Sequence, residues 1–318
     1  NMNWLDTGNA RAYARTKSYY PNNLAVEKDN EAIFVDNGCV VKYFEDATKA
    51  QKRVKRSLEL SGIVPPVLKI NDNMFCYDYV EGERLSEVYD KRVFHNFLND
   101  YHEKFRKDVY TKNEAFLTNC KKMYQDKTRQ RVKAFHGSDL DNVKVINGTA
   151  VKPINDLLDE LDWTSIYQKA IPSKFHGDMQ PENLLVLPDG NYFYIDWRES
   201  FGDSLEIGDA YYDLGKLYHA LVISNSIILD GAYGVSVVDD QAKVEYTLKN
   251  NLYQFLEILE GFCLKNGYDF DHVRLLGVLN YLNIASLYGK FKGGVYGDFL
   301  FLLGKKLLAQ FLEENNGK

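Results

Sequence analysis

Cysteine is scarce in this chain: four among 318 residues (Cys39, Cys76, Cys120 and Cys263), far apart and without a CxxC pair. That argues against a zinc module or a disulfide framework and predicts a reducing, cytoplasmic setting. Positive charge is outnumbered, since 39 Lys plus Arg against 45 Asp plus Glu leave a formal net charge of −6. A binder of nucleic acid or membrane surfaces that relies on bulk basicity is therefore not expected. Long apolar runs are missing too. Nothing approaches the ~18 uninterrupted apolar residues that span a bilayer, and the opening NMNWLDTGNARAYARTK has no apolar core of signal-peptide type. No internal repeat or low-complexity tract is present. What remains is ample core material, 45% hydrophobic and 14% aromatic residues, enough for one two-lobed unit or two modest domains.

From Asn22 to Val80 the pattern is strand-like. EAIFVDNGCVVKYF reads as a hairpin around Asp36-Asn37-Gly38. Asp46 is a candidate N-cap for a helix reaching about Ser61, with Ala47, Ala50, Val54 and Leu58 at helical spacing and Gly62 as its stop. Pro65 and Pro66 prevent continuation, and MFCYDYVEG predicts a further strand ending near Gly82. Beyond it the chain reads as mostly helical, including QAKVEYTLKNNLYQFLEILEGFCLK. Lys104 to Lys133 contains ten Lys or Arg against Asp108, Glu114 and Asp126. This basic stretch is either a solvated face or a dock for an anionic substrate or partner.

FHGDMQPENLLVLPDGNYFYIDW, residues 175–197, departs from the helical background. LLVL and YFYI are short β runs joined by the strong turn signal Pro188-Asp189-Gly190-Asn191. An antiparallel register with Leu187 opposite Tyr192 sets Asn183 opposite Asp196, while Asp178 enters the same end of the hairpin. Such oxygen donors suit Mg²⁺, which takes one or two protein oxygens and fills its other positions with water and phosphate. A second carboxylate held nearby can orient a hydroxyl and accept its proton. His136-Gly137-Ser138-Asp139 imitates the start of the motif but lacks the later Asn and hairpin, and reads as a loop.

HGDMQPENLLV followed by YIDW resembles the catalytic and metal-binding motifs of the aminoglycoside phosphotransferase and choline kinase family, relatives of the protein kinases. The resemblance implies an α+β, bilobal protein-kinase-like fold: a small antiparallel-sheet N-lobe with one helix, and a large helical C-lobe carrying the catalytic hairpin. It implies an arm or linker over 1–21, a nucleotide-binding lobe over 22–82 and an acceptor lobe over 83–318. By position, Asp178 is the implied catalytic base, Asn183 and Asp196 the Mg²⁺ ligands, and His176 a support of the loop. GDAYYDLGKL is similar to the segment whose Asp, here Asp213, braces that loop.

In such a kinase the strand VVKYF presents the lysine that grips the nucleotide phosphates, here Lys42. Its usual helix glutamate is replaced by Gln51, which lies within roughly 60° of Ala47, Val54 and Leu58 on a helical wheel. Glu27-Lys28-Asp29-Asn30 stands where a glycine-rich phosphate-covering turn is expected. FCYDYVEG resembles the lobe linker that hydrogen-bonds adenine, nominating Asp78, Tyr79 and Val80.

The acceptor is expected beside Asp178, near Trp197, Arg198, Glu199 and Asp203. IDWRESFGDSLEIGDAYYDLGKLYHAL resembles proteins of bacterial capsule and lipopolysaccharide gene sets, which implies a sugar, polyol or amino alcohol such as choline. For choline, an aromatic box from Trp197, Tyr211 and Tyr212 is the alternative to plain core packing. The donor is ATP or GTP. NWLDTGNARAYARTK is similar to the closing segment of sugar nucleotidyltransferases, which suggests such an enzyme as a partner; packing on the small lobe is the other reading. The rival functions are a non-catalytic nucleotide-binding regulator and an antibiotic phosphotransferase.

Overall fold

The computed structural model describes residues 30–36, 38–135, 138–288 and 294–315. The arm 1–21, Glu27-Lys28-Asp29 and His136-Gly137 lie outside the described residues. β1 (Glu31–Asp36) and β2 (Cys39–Phe44) pair antiparallel, with Glu31 opposite Phe44 and Asp36 opposite Cys39. Gly38 follows at φ +75°, a left-handed backbone that a β-carbon resists. Alternation along β2 buries Val40, Lys42 and Phe44 on one face. Asp46 caps α1 (Ala47–Glu59) by accepting from the Thr48 N–H at 2.9 Å. β3 (Leu68–Lys69) and β4 (Met74–Asp78) complete a sheet in the order β1-β2-β4-β3.

The inward face of α1 differs from the expectation. Ala50, Arg53, Arg56 and Ser57 are buried, whereas Leu58 is 74% exposed and Gln51 is exposed. The helix carries too few apolar residues to orient itself by burial. Two arginines reaching acceptors on the large lobe orient it instead.

After α1 and β4 the chain crosses to the large lobe at β5 (Glu83–Arg84). There follow α2 (Lys91–Arg106), α3 (Glu114–Lys121), a π-helical turn at Lys122–Asp126 and α4 (Lys127–Ala134). Next come β6 (Val145–Ile146), β7 (Thr149–Ala150), α5 (Ile154–Asp159), α6 (Trp163–Lys169) and β8 (Pro172–Ser173). The hairpin of β9 (Leu184–Val186) and β10 (Tyr192–Tyr194) pairs with β5 in the order β10-β9-β5. β11 (Gly208–Asp209) leads into α7 (Ala210–Val222) and α8 (Asn225–Leu229). QAKVEY is not helical: β12 (Tyr233–Val238) and β13 (Gln241–Tyr246) form a hairpin, and β13 also pairs parallel with β6. Its alternation, with only Ala242 and Val244 buried, fits a strand with one covered face.

α9 (Asn250–Lys265), α10 (Phe270–Ala285) and α11 (Val295–Asn315) finish the lobe. α10 is buried nearly all round, the mark of a central helix. It lies close against α7, where a β-carbon on Gly215 would come 2.9 Å from Leu276 Cβ. That contact seats α7, the helix whose polar face supports the loop described next.

Candidate active site

The loop before β9 is held from beneath. Asp213 on α7 accepts the His176 N–H through one oxygen and the Gly177 N–H through the other, both at 2.7 Å. Burial pushes its carboxyl up to about 7. Gly177, at φ +86°, packs so close to Arg198 that an added β-carbon would lie 2.5 Å from Arg198 Cβ. The buried His176 ring spans the loop, with Nε2 3.0 Å from Ile195 O and Nδ1 3.3 Å from Asp178 N. Burial pulls its pKa down to about 4, so at neutral pH Nε2–H donates to Ile195 and Nδ1 accepts from Asp178.

Asp178 Oδ1 accepts from Gln180 Nε2 at 3.0 Å and lies 3.3 Å from Lys216 Nζ. Asn183 Nδ2 donates to the Asp178 carbonyl at 2.9 Å and lies 3.3 Å from Asp178 Oδ2. The hairpin register is one residue from that expected: Val186 faces Tyr192, and Ile195 N–H bonds Asn183 O at 2.9 Å. The Leu187–Asn191 pairing closes the turn and removes a residue from the strand count. Asp196 follows Ile195 with φ +63°, outside the ladder. That conformation is uncommon for an aspartate, and it accompanies contacts to the small lobe: Asp196 Oδ1 lies 2.7 Å from Lys42 Nζ and 2.6 Å from Arg53 Nη1.

Asp178 and Asn183 touch each other directly, and Asp196 follows the residue hydrogen-bonded to Asn183. The donor set fits a hard divalent cation: one carboxylate, and one amide whose NH₂ is fixed on Asp178 so that Oδ1 takes the opposite direction. Two cations already balance Asp196, which keeps its charge paired inside the cleft.

α1 is bolted to this loop. Arg56 Nε donates to Leu205 O at 2.8 Å, Nη1 to Arg198 O and, at 3.4 Å, to His176 O, and Nη2 to Phe175 O. Its guanidinium carbon sits 3.7 Å from the Phe175 ring centroid. Burial lowers its pKa to about 9, leaving it charged at neutral pH. Trp197 is core: it is 1% exposed, packs beside Phe75 and Tyr77, and donates from Nε1 to Arg53 O at 2.9 Å. Burial alone would raise the Glu199 carboxyl, yet Arg198, Arg53 and Lys49 hold it below the ordinary value.

Gln51 does not join the cluster; Arg53, two residues on and on the opposite side of the helix, meets Asp196. Asp203 lies away from it on an exposed turn, paired with Lys122. Asp78 ends β4, and Tyr79 and Val80 connect it toward β5; the Tyr79 N–H is taken by Gly38 O at 2.6 Å. Arg53, Arg56 and Lys216 were missed by sequence reasoning. KRVKR reads as an ordinary solvated helix face, and only the three-residue spacing of its arginines hints at a shared side.

No family model matches this sequence, and no curated protein matches it. Among solved structures, the choline kinase LicA from Streptococcus pneumoniae is similar, with a TM-score of 0.54 and 14% identity over 95% of this chain and 100% of that chain. A LicA structure in complex with AMP gives 0.50 and 12% over 95% and 98%. At these identities the likeness is one of fold, and the chain has the bilobal protein-kinase-like fold that its hairpin motif implied.

Proposed function

We propose that this chain is a small-molecule kinase: an Mg²⁺-dependent phosphotransferase that moves the γ-phosphoryl group of ATP to a hydroxyl of a small metabolite. The observation that carries this reading is the convergence of Asp178, Asn183 and Lys42-paired Asp196 at one end of a hairpin, on a loop braced by Asp213. Asp178 orients the acceptor hydroxyl and takes its proton. A bond forms from that oxygen to the γ-phosphorus, and the bond to the β–γ bridging oxygen breaks, so ADP leaves with the electron pair. Lys42 holds the donor phosphates. Asn183 and Asp196 would hold Mg²⁺, whose chemistry is to offset charge on the phosphate oxygens. Gln180 and Lys216 fix the Asp178 carboxylate through Oδ1.

In this reading 22–82 is the nucleotide-binding lobe, with adenine against the linker backbone around Val80, and 83–318 receives the acceptor. Arg198 and Glu199 line the acceptor side, whereas the burial of Trp197 and the remoteness of Asp203 take them out of it. The similar structures, a choline kinase and its AMP complex, support a nucleotide and an alcohol acceptor. Sugars, polyols and amino alcohols of surface-polysaccharide metabolism, a cytoplasmic location and a sugar nucleotidyltransferase partner complete the proposal. Among the described residues no helix is long and apolar enough to cross a membrane.

ADP release with ATP or GTP, Mg²⁺ and a panel of hydroxyl acceptors tests the reading. Transfer that needs Mg²⁺ and is lost in Asp178→Asn, with nucleotide still bound, is the expected result. Lys42→Met should raise the KM for ATP. Tight nucleotide binding without transfer to any acceptor would instead identify a non-catalytic regulator.

A further inference from the structure

Beside Asp178, four cationic side chains of the large lobe lie within electrostatic reach of one another, two of them on one phenol. The Tyr212 hydroxyl lies 3.2 Å from Arg198 Nη1 and 3.4 Å from Lys127 Nζ. Lys216 follows Tyr212 by one turn of α7, and its ammonium is the group 3.3 Å from Asp178. Arg131 follows Lys127 by one turn of α4. Burial and then the charges of Arg198, Lys216 and Arg131 hold the Lys127 ammonium well below the usual lysine range. Burial and Arg198 lower Arg131 as well. The carboxylates facing the group are Asp178 and Glu199, and Glu199 is shared with Arg53.

Other cations of the same basic stretch have acids of their own: Lys104 with Asp100 at 3.0 Å, Arg129 with Asp159 at 2.7 Å, and Lys122 with Asp203. Among the described residues no carboxylate forms an ion pair with Lys127 or Arg131. Assembling like charges away from bulk water is costly unless an anion joins them. A guanidinium fork beside an ammonium is the arrangement that binds phosphate or carboxylate. None of the four comes from the small lobe, whose Lys42 and Arg53 meet Asp196. The aromatic alternative fails on burial: Trp197, Tyr211 and Tyr212 are 1%, 4% and 3% exposed, leaving no open ring faces for a quaternary amine.

We propose that the acceptor is a hydroxyl compound that already carries an anionic group, a phosphate or a carboxylate, bound by Lys127, Arg131, Arg198 and Lys216 while its hydroxyl faces Asp178. This rests on the phosphotransferase reading and narrows its acceptor class away from amino alcohols such as choline. The test compares glycerol, glycerol 3-phosphate and glycerate; glucose, glucose 6-phosphate and glucuronate; and choline and ethanolamine, with the full chain, ATP and Mg²⁺. At least one anionic member should show kcat/KM tenfold or more above its neutral parent. Arg131→Met and Lys127→Met should each raise KM for that member at least tenfold and move KM for ATP less than twofold, with Arg131→Lys, which keeps the charge but loses the fork, falling between wild type and Arg131→Met. Equal use of neutral or cationic members, or a rise in KM for ATP instead, overturns the inference. If no member is phosphorylated, the phosphotransferase reading falls, and calorimetric titration of Asp178→Asn protein loaded with ATP decides the site by itself. Binding of an anionic member that Arg131→Met abolishes upholds the anion site, and binding of none refutes it.

Discussion

Replacing Arg56 with Met should damage stability and catalysis together. The guanidinium donates to Phe175 O, Arg198 O, Leu205 O and His176 O, and the last also accepts from Arg198 N–H at 2.9 Å. Methionine fills much of the volume but leaves three carbonyls without this donor. An unsatisfied buried carbonyl costs about 1–3 kcal/mol, and loss of the stack on Phe175 adds about 1 kcal/mol. Removing a buried charge returns part of this, so a net loss of about 4 kcal/mol is reasonable. For a chain of this size that lowers Tm by roughly 6 °C. Because Phe175 and His176 lead directly into Asp178, the kcat of the proposed transfer should fall by about 100-fold or more, with a smaller change in KM for ATP. Thermal melts and steady-state kinetics on the same preparation check both effects. A Tm drop below about 2 °C with kcat intact would refute the claim that Arg56 holds the loop.

Two further outcomes follow from the site. Burial lowers the His176 pKa from the ordinary 6.5 to about 4, so the stability tied to its neutral form is present above pH 6.5 and disappears as pH falls through 4. His219 and His272 are shifted in the same direction, to about 3 and about 4. The diagnostic quantity is therefore the difference between wild type and His176→Gln: the variant should lose less stability between pH 6.5 and 4, by up to about 3 kcal/mol, and parallel melting curves would contradict this. Trp197→Phe keeps the packing on Phe75 and Tyr77 but strips Arg53 O of its donor. It should cost about 1–2 kcal/mol in denaturant titration while leaving KM for the acceptor unchanged; a large rise in that KM would put the indole back in the acceptor site.

Much of this was legible in the sequence because it depends on local chemistry. The Asp46 cap, the Gly38 turn and the Pro188-Asp189-Gly190-Asn191 turn announce themselves through residues with narrow backbone or capping preferences. The convergence of Asp178 with Asn183 followed from a short loop and a hairpin. What escaped depends on partners far along the chain. Ala47, Val54 and Leu58 mark one face of α1 by spacing, yet acceptors near 175, 196, 198 and 205 decide which face turns inward. The register slipped by one because Leu187 and Asn191 pair across the turn. QAKVEY passed for helix because it runs straight into the genuine helical pattern of α9.

The double tie of α1, Arg56 on the loop carbonyls and Trp197 on Arg53 O, divides the small lobe by allegiance rather than by chain order. The helix is held on the large lobe by its arginines and the Trp197 indole, while the sheet bearing Lys42 meets that lobe through Lys42 on Asp196 and through Phe75 and Tyr77 on Trp197. Asp196 thus has one small-lobe counter-charge from each element, Arg53 from the helix and Lys42 from the sheet. A swing of the helix would have to break the Arg56 bonds to the loop carbonyls, so displacing it would disturb the segment that leads into Asp178.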